Sequence, residues 1–579
     1  MLFSKIITLT KLGPVEATKL LYRRIVLPNI MFDYTKKYQA NQINLPVFKF
    51  EALKQHSNAI LANNVTLWGK QFFLGADIEW KKDYFSGYTW PKKYFKELRK
   101  LTLVGVDIKF PWELSRFHQA VWLADSYNLQ NNEQYAIKFS ALIGDWISDN
   151  SFLYSVNWTC AMDVGIRAVN LIYAFTLFKQ SNYCFDDDFE NNFLKLIYKH
   201  GLYIYHNQEY SPVRGNHYTS DLVGLFIIGL LFQKTSVGRK WLNFAKKELE
   251  QEIELQTLDS GMNFELSLPY HRLTTELFLY SYIFGKLNNV NFSENYLRIL
   301  KKQVQFIVDY TKPNNLAPLV GDNDSGHLFY FPCFDNRDHI FLLDIGKKYL
   351  EFKPKKKSGF IEYKDAGFVI YKDKRIYFLF KNSQLGLNGL GGHNHNDNLS
   401  FELNIDGLDI FVDPGTYVYT PKPNERNKFR STEMHNTVYL GVEQNDLTQG
   451  IFILKSLSKP KYLKYSLKKM ELKGELVYNQ GFVYKRIVKI EKTQITISDR
   501  LSNFSGNAIF NLVLSPDLKI KKDKSLKVNE VIFSNKTLIV NPNVLLETHY
   551  SKDYYSIQPT KKISIPFYKS IDFYVVLGD

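Results

Sequence analysis

The sequence predicts an α+β multidomain protein in which an (α/α) toroid of antiparallel helix pairs is followed by an antiparallel β-sandwich. The length of 579 residues is the first observation, because a single hydrophobic core rarely serves so long a chain. From about Tyr94 to Leu350, apolar residues recur at helical spacing in segments separated by short polar or Gly/Pro breaks. After Lys357, short apolar runs separated by turn-forming residues replace that spacing.

The first predicted helix shows the helical pattern clearly. In the segment Trp112–Ala124, the preceding Pro111 favours a helix start. Phe117, Val121 and Ala124 fall on one apolar stripe. The other predicted helices are Ala136–Ile147, Met162–Phe178, Phe193–His206, Thr219–Gln233, Trp241–Leu255, Thr274–Leu287 and Glu294–Tyr310. Helices of this length joined by short loops indicate antiparallel pairs stacked in an arc or toroid.

The C-terminal part contains many short strands without intervening helices, a pattern that indicates a β-sandwich. The predicted strands are Phe368–Lys372, Ile376–Phe380, Leu399–Ile405, Ile451–Leu454, Arg486–Ile490, Gln494–Ile497 and Ala508–Leu514. The basic segment Lys347–Lys357 is the predicted boundary. The chain then divides into an N-terminal segment or cap (1–90), a toroid domain (91–350) and a sandwich domain (358–579).

The formal net charge of +16 favours an anionic partner. Nucleic acid, a membrane surface and an acidic polysaccharide all carry such charge, so charge by itself does not choose among them. The sequence has no nucleotide-binding glycine loop, no Gly-x-Ser-x-Gly elbow and no Cys-x-x-Cys pair, and these absences remove several common enzyme classes. The three cysteines imply no disulfide framework.

No segment is expected to cross a membrane. The most apolar window, Leu222–Phe232, is too short to span a bilayer. The N-terminal stretch Met1–Lys11 is interrupted by Lys5 and lacks a small-residue cleavage site, so an ordinary signal peptide is not evident. The sequence by itself therefore favours a cytoplasmic protein, and it leaves the oligomeric state open.

The densest polar cluster is Gly391–Glu402, a loop rich in Gly and Asn that carries His393 and His395 just before a predicted strand. Two histidines in such a loop favour a ligand or a catalyst over a packing role. Asp413 follows another apolar run, and the alternative interpretation is that it is a simple turn residue. His435 precedes a further strand. One histidine of the loop, Asp413 and His435 would make a three-ligand set of nitrogen and oxygen atoms suited to zinc.

Two further polar groups lie in the helical part. Arg214-Gly-Asn-His217 opens a predicted helix, where Asn216 and His217 are either functional or simple capping residues. Tyr270 and His271 lie just before another predicted helix, and a core-edge aromatic is the alternative interpretation of Tyr270.

Taken together, these motifs closely resemble the heparinase II/III-like polysaccharide lyases from about residue 100 to about residue 450. The matching segments are Trp112-Glu-Leu-Ser-Arg116, Asn157-Trp158 with Arg167, Arg214-Gly-Asn-His217, Pro269-Tyr-His271, Asp365-Ala-Gly-Phe368, Gly392-His-Asn-His-Asn-Asp-Asn-Leu-Ser-Phe401, Val412-Asp-Pro-Gly-Thr-Tyr417 and His435-Asn-Thr-Val438. The resemblance implies an (α/α) toroid and a β-sandwich, with the site in the cleft between them. It also leaves a periplasmic or secreted location open.

The resemblance implies a role for each residue of these motifs. Asn216 would hydrogen-bond a uronate carboxylate with help from His217. Tyr270 would act as general acid and alternatively also as base, with a pKa lowered by nearby cations. His393 would be the alternative base. The metal ligands, for zinc or alternatively calcium, would be His395, Asp413 and His435. The substrate-binding residues would be Arg214, Tyr419 and Arg430.

The activity expected from this resemblance is β-elimination in a uronic-acid-containing acidic polysaccharide, leaving an unsaturated uronate, with no role for nucleic acid. Two alternatives stay open. One is a toroid-fold glycoside hydrolase that uses a carboxylate pair chosen among Asp163, Asp221, Glu265 and Glu276. The other is a non-catalytic polysaccharide-binding protein involved in the assembly of a surface polysaccharide such as an exopolysaccharide.

Overall fold

The computed structural model describes residues 38, 40–101 and 103–578, so the stretch Met1–Lys11 lies outside the described part of the chain. The chain forms two compact units whose segments alternate along the sequence. Of the described residues, the first unit contains those up to 256 together with 273–300 and 326–335. The second contains 257–272, 301–325 and 336–578.

The first unit is mainly helical. A short hairpin, β1 (Asn64–Leu67) and β2 (Lys70–Phe73), follows its first helix. The helices that begin in this unit are α1 (Leu53–Leu61), α2 (Phe95–Leu98), α3 (Lys109–Leu114), α4 (His118–Gln130), α5 (Gln134–Asp149), α6 (Ala161–Gln180), α7 (Asp187–Asn207), α8 (Asn216–Leu231), α9 (Ser236–Leu255) and α11 (Glu294–Tyr310). Helix α10 (Leu268–Leu287) begins in the second unit and ends in the first.

Helices α6 and α8 form the centre of the helical unit. Gly165 and Gly224 face each other across them, and a Cβ on Gly224 would lie 2.5 Å from the Cα of Gly165. The two backbones therefore approach closely where neither residue carries a side chain. Among the described residues, α6 is the one helix with the length and mean hydropathy of a membrane span, but it is fully buried as a core helix would be.

One predicted helix is broken in the structure. Trp112–Ala124 divides into α3 and α4, because Phe117 adopts a left-handed conformation with φ of +60°. The two residues before the break make buried polar contacts. Arg116 donates to Asp163 at 2.7 Å, and the Ser115 hydroxyl accepts from Trp146 at 3.1 Å. The prediction of one continuous helix was wrong because helical periodicity does not register such tertiary contacts.

The second unit is rich in strands. Its helices besides the start of α10 are α12 (Phe341–Leu350) and α13 (Pro423–Arg430). The last four residues of α12 overlap the predicted boundary segment Lys347–Lys357. The strands of its first sheet, in spatial order, are β3 (Gly359–Tyr363), β4 (Phe368–Lys372), β5 (Ile376–Lys381), β6 (Phe401–Ile405) and β7 (Leu408–Phe411). All neighbouring strands of this sheet are antiparallel.

Two further sheets, of four and eight strands, and a small ribbon complete this unit. The remaining strands are β8 (Val438–Tyr439), β9 (Asn445–Asp446), β10 (Lys455–Ser456), β11 (Ser458–Ser466), β12 (Glu471–Tyr478), β13 (Val483–Ile490), β14 (Gln494–Ser502), β15 (Ala508–Val513), β16 (Lys519–Lys522), β17 (Glu530–Ser534), β18 (Thr537–Val540), β19 (Leu545–Tyr550), β20 (Gln558–Phe567) and β21 (Ser570–Leu577). The sheet orders are β19-β20-β15-β8 and β11-β12-β13-β14-β21-β17-β18-β16, and β9 pairs with β10. Alternate residues of β12 and β13 are buried, as expected when one face of a sheet covers the core.

The predicted strand Ile451–Leu454 is a turn in the structure. Phe452 and Ile453 are 38% and 47% exposed, so this apolar run does not contribute a buried sheet face. The prediction was wrong because composition indicates apolar residues but not where they are buried.

Candidate active site and metal centre

A buried carboxylate, Asp322, is the centre of a polar cluster in the second unit. Arg426 donates from both terminal nitrogens to its two oxygens, with Nη2 2.6 Å from Oδ2. The Nδ1 of His393 lies 3.0 Å from Oδ2, and the Nε2 of His395 lies 2.9 Å from Oδ1. Burial by itself raises the pKa of Asp322, but the Arg426 charge and both histidine contacts hold that pKa well below its ordinary value. Asp322 is therefore an anion that orients three side chains.

Gly321 allows Asp322 to approach the histidine loop closely. Its φ is +80°, and a Cβ there would lie 2.8 Å from the Cβ of Ser267 and 2.9 Å from the carbonyl oxygen of His393. The N–H of Asp322 donates to that same carbonyl oxygen at 3.1 Å. A residue with a side chain at this position would be strained by the positive φ, and its Cβ would clash with these two atoms.

Tyr270 lies in the first turn of α10, and its ring stacks on the ring of His393. The two ring centroids are 3.7 Å apart and the planes differ by 17°. The Tyr270 hydroxyl lies 3.2 Å from the hydroxyl of Tyr419. Burial, and then the carboxylates of Asp324 and Asp322, raise the pKa of Tyr270 well above its ordinary value. This is the reverse of the lowered pKa expected from the sequence, and it means that Tyr270 holds its proton.

Carboxylates face both ring nitrogens of His393. The Nε2 atom lies 3.3 Å from Oε2 of Glu265, and Nδ1 faces Asp322. The His393 side chain is 11% exposed, whereas Glu265 is fully buried. The imidazole is thus held from two sides at the surface of the cluster.

The three predicted metal ligands, His395, Asp413 and His435, lie together. One ligand atom of each lies within 4.8 Å of the other two, and all three residues are buried. Nδ1 of His435 lies 3.1 Å from Oδ2 of Asp413. This set belongs wholly to the second unit.

The donor atoms fit a transition-metal ion. Within the described part of the chain, Nδ1 of His395 and Nε2 of His435 are buried and have no hydrogen-bond partner. Such orphaned nitrogens are costly in a folded protein unless a ligand satisfies them. Imidazole nitrogens suit zinc, whereas calcium takes oxygen ligands. The Asp322 carboxylate on the other ring nitrogen of His395 is the outer partner that metal-bound histidines usually have.

Arg430 contacts the backbone of a neighbouring segment. Its guanidinium donates to the carbonyl oxygens of Gly450 and Ile451 at 2.9 and 3.0 Å, and to the side chain of Asn427 at 2.7 Å. Arg426, one helical turn earlier on α13, is the residue that faces Asp322.

The other predicted site residues belong to the first unit, near the N-terminus of α8. Arg214 forms an ion pair with Glu252 at 2.7 Å. Asn216 is buried in the first helical turn, and Nδ1 of the next residue, His217, lies 2.5 Å from Oε2 of Glu209. Partial desolvation lowers the pKa of His217, but the Glu209 carboxylate outweighs this effect and raises that pKa to about 9.

Sequence analysis missed Asp322, Arg426 and Glu209. A signal existed for the first of them, since Gly321-Asp-Asn-Asp324 is a polar run between two apolar stretches. A signal for Arg426 is its spacing of four residues from Arg430, which places both on one helix face. Glu209 has no comparable local signal.

Models of one protein family match both parts of the chain. The model described as heparinase II/III N-terminus matches residues 31–330. The model described as heparinase II/III-like, C-terminal, matches residues 355–549. Together they include every predicted site residue.

Relatives with curated names are distant in sequence. A heparin-sulfate lyase of Bacteroides stercoris is 25% identical over 428 residues, which is 66% of this chain and 58% of the relative. A heparin-sulfate lyase of Bacteroides thetaiotaomicron is 23% identical over 513 residues, which is 79% of this chain and 70% of the relative. The chain thus aligns with less than two thirds of the length of the first relative.

Solved structures with similar folds support the predicted fold class. Heparinase III superposes with a TM-score of 0.71 at 16% identity, covering 97% of this chain and 89% of that one. A heparan sulfate lyase from Pedobacter heparinus superposes with a TM-score of 0.54 at 21% identity, covering 96% and 87%. The prediction of a helical toroid followed by an antiparallel β-sandwich is confirmed. Because the family models match most of its length, the chain belongs to the heparinase II/III family.

Proposed function

We propose that the protein is a polysaccharide lyase that cleaves a uronic-acid-containing acidic polysaccharide by β-elimination. The observation that carries the proposal is the stacking of Tyr270 on His393, with ring centroids 3.7 Å apart. Asp322 and Glu265 contact the two ring nitrogens of His393 and hold it in place. The relatives named heparin-sulfate lyases support the reaction class. The net charge of +16 supports a polyanionic substrate.

In this proposal Tyr270 is the general acid. Its raised pKa keeps the hydroxyl protonated, so it can donate that proton to the glycosidic oxygen as the C4–O bond breaks. His393 takes the C5 proton, for which its Nε2 must first leave Glu265. The electron pair of the broken C5–H bond forms the C4–C5 double bond, and no water is consumed.

Negative charge spreads into the uronate carboxylate as the C5 proton leaves. The proposed role of Asn216 is to donate hydrogen bonds to that carboxylate, with His217 as a second donor. Hydrogen bonds that strengthen as charge develops are among the largest contributions to such reactions. Arg214 and Tyr419 are proposed substrate contacts, and we propose that Arg430 acts by fixing the 450–451 backbone that it contacts.

We also propose that His395, Asp413 and His435 hold zinc. When bound, the metal would cross-link the loop that carries His393 to the segments after β7 and α13. The chain's own contribution is the Asp322 hydrogen bond, which fixes the orientation of the His395 ring.

The hydrolase alternative has less support. Glycoside hydrolysis needs two carboxylates that face the substrate. Each candidate carboxylate already has a partner in the fold: Asp163 binds Arg116, the N–H of Glu209 donates to Asp221, His393 contacts Glu265, and the N–H of Phe329 donates to Glu276.

The proposal is tested by incubating the protein with a panel of acidic polysaccharides and following the ultraviolet absorbance of the unsaturated uronate. We expect absorbance to rise with at least one polymer, and Tyr270→Phe to abolish the rise. Tyr568→Phe is the matched control, since Tyr568 is 53% exposed and should not affect the rate. New reducing ends without the absorbance would refute elimination and establish a hydrolase.

A further inference from the structure

Three potential metal ligands lie together in the first unit, apart from the predicted metal set of the second. Cys160 occupies the N-cap position of α6, Glu209 lies between α7 and α8, and His217 is in the first turn of α8. Three separate segments of the chain thus bring together a thiol, a carboxylate and an imidazole. These side chains offer the three ligand types that zinc uses in proteins.

The contacts among these side chains converge on one atom of each. The Sγ of Cys160 lies 3.8 Å from Oε2 of Glu209 and 3.9 Å from Nδ1 of His217. The same Oε2 and Nδ1 atoms are 2.5 Å apart. In a nucleophilic triad, the histidine would contact the thiol and the carboxylate through different ring nitrogens. Here the thiol and the carboxylate both face Nδ1, as ligand atoms do when they surround one metal position.

We infer that Cys160, Glu209 and His217 form a second transition-metal site, which takes zinc or a similar divalent cation. Tetrahedral zinc, with bonds of about 2.3 Å to sulfur and about 2.0–2.2 Å to nitrogen and oxygen, places its ligand atoms roughly 3.5 Å apart. The two contacts of the thiol come within a few tenths of an ångström of that separation. The Glu209–His217 contact is shorter and must open by less than about 1 Å to admit the ion.

The surroundings suit a site that exchanges metal with solvent. Cys160 is buried, whereas the side chains of Glu209 and His217 are 24% and 51% exposed. Water can therefore complete the coordination, as in zinc sites with three protein ligands. The N–H of Glu209 donates to Asp221 at 2.6 Å, which fixes the backbone of the carboxylate ligand. On binding, the thiol releases its proton to solvent and the thiolate bonds to the ion.

Metal-free full-length protein titrated with Co²⁺ tests this inference. A thiolate ligand gives Co²⁺ a sulfur-to-metal charge-transfer absorption in the near ultraviolet, which the nitrogen and oxygen ligands of the second unit do not produce. We expect one equivalent of this absorption in the wild type and in His435→Ala. It should disappear in Cys160→Ser and persist in Cys184→Ser, whose cysteine is exposed.

Glu209→Gln provides a second measurement that leaves the buried cysteine in place. It should weaken Co²⁺ binding, judged by competition with a colorimetric chelator, by at least about tenfold, since even loss of an outer partner of a metal ligand costs that much. Absence of the thiolate band in the wild type, or its survival in Cys160→Ser, would overturn the inference. Neither readout depends on the proposed lyase activity.

Discussion

Replacing Asp322 by Asn should lower the free energy of unfolding of the second unit by about 3–5 kcal/mol, the usual cost of removing one partner of a buried ion pair. Both side chains of the Asp322–Arg426 pair are fully buried. At an effective dielectric constant of about 20 and about 4 Å between charge centres, their attraction is about 4 kcal/mol. The neutral amide of Asn supplies none of that attraction. Its NH₂ group, itself a donor, would also face the donor groups that now contact the Asp322 oxygens.

The assay is thermal and denaturant unfolding of chelator-treated protein, so that loss of metal does not contribute. A fall of at least about 6 °C in Tm is expected, at about 2–4 °C per kcal/mol for a large domain. Arg426→Gln should show a similar loss, and the double variant should lose less than the sum of the two, because it leaves no unmatched charge.

Asp344→Asn is the matched control, since Asp344 forms an exposed ion pair with Lys347 at 2.7 Å. Such pairs contribute about 0–1 kcal/mol. The reasoning would be refuted if Asp322→Asn cost no more than this control, or if the Asp322 and Arg426 substitutions were simply additive.

Three further outcomes are expected. Tyr270→Phe should lower kcat by about 10²–10⁴-fold in the absorbance assay while Tm stays nearly constant, and retained turnover would remove Tyr270 from the mechanism. His435→Ala should lose bound metal by elemental analysis and lower Tm, whereas unchanged metal content would show that the site is misassigned. Burial lowers the pKa of Lys372 to about 8, so between that pH and about 10.5 the unfolded chain binds more protons than the folded one. Wild-type stability relative to Lys372→Met should therefore rise over that interval, and a flat or falling difference in Tm would contradict the shift.

The secondary structure followed from the sequence where its cause is local. Glu294–Tyr310 was predicted to the residue, because a solvent-facing helix repeats its apolar stripe every turn. Helix α10 begins at Leu268, six residues before the predicted Thr274, so Tyr270 lies inside the helix rather than before it. The break at Phe117 required knowledge of Arg116 and its distant partner, which no local pattern contains.

The candidate site divides in the same way. His393 and His395 were identifiable because two histidines in a Gly- and Asn-rich loop are unusual in any context. Asp322 left only a weak signal, since its polar run Gly-Asp-Asn-Asp also describes an ordinary surface turn. Its importance comes from burial beside Arg426 and from contacts with residues more than 70 positions away.

Asp322 also links the proposed acid to the proposed metal ligands. One of its oxygens contacts His395, and the other contacts His393, on which Tyr270 stacks. If the metal acts only by fixing this loop, loss of the metal should reduce activity little further once the Tyr270 hydroxyl has been removed. Both changes then disable the same Tyr270–His393 pair. The activity of Tyr270→Phe/His435→Ala, measured in single-turnover experiments beside both single variants, should therefore be close to that of Tyr270→Phe. Losses that multiply would mean that the metal contributes to the reaction independently of the Tyr270–His393 pair.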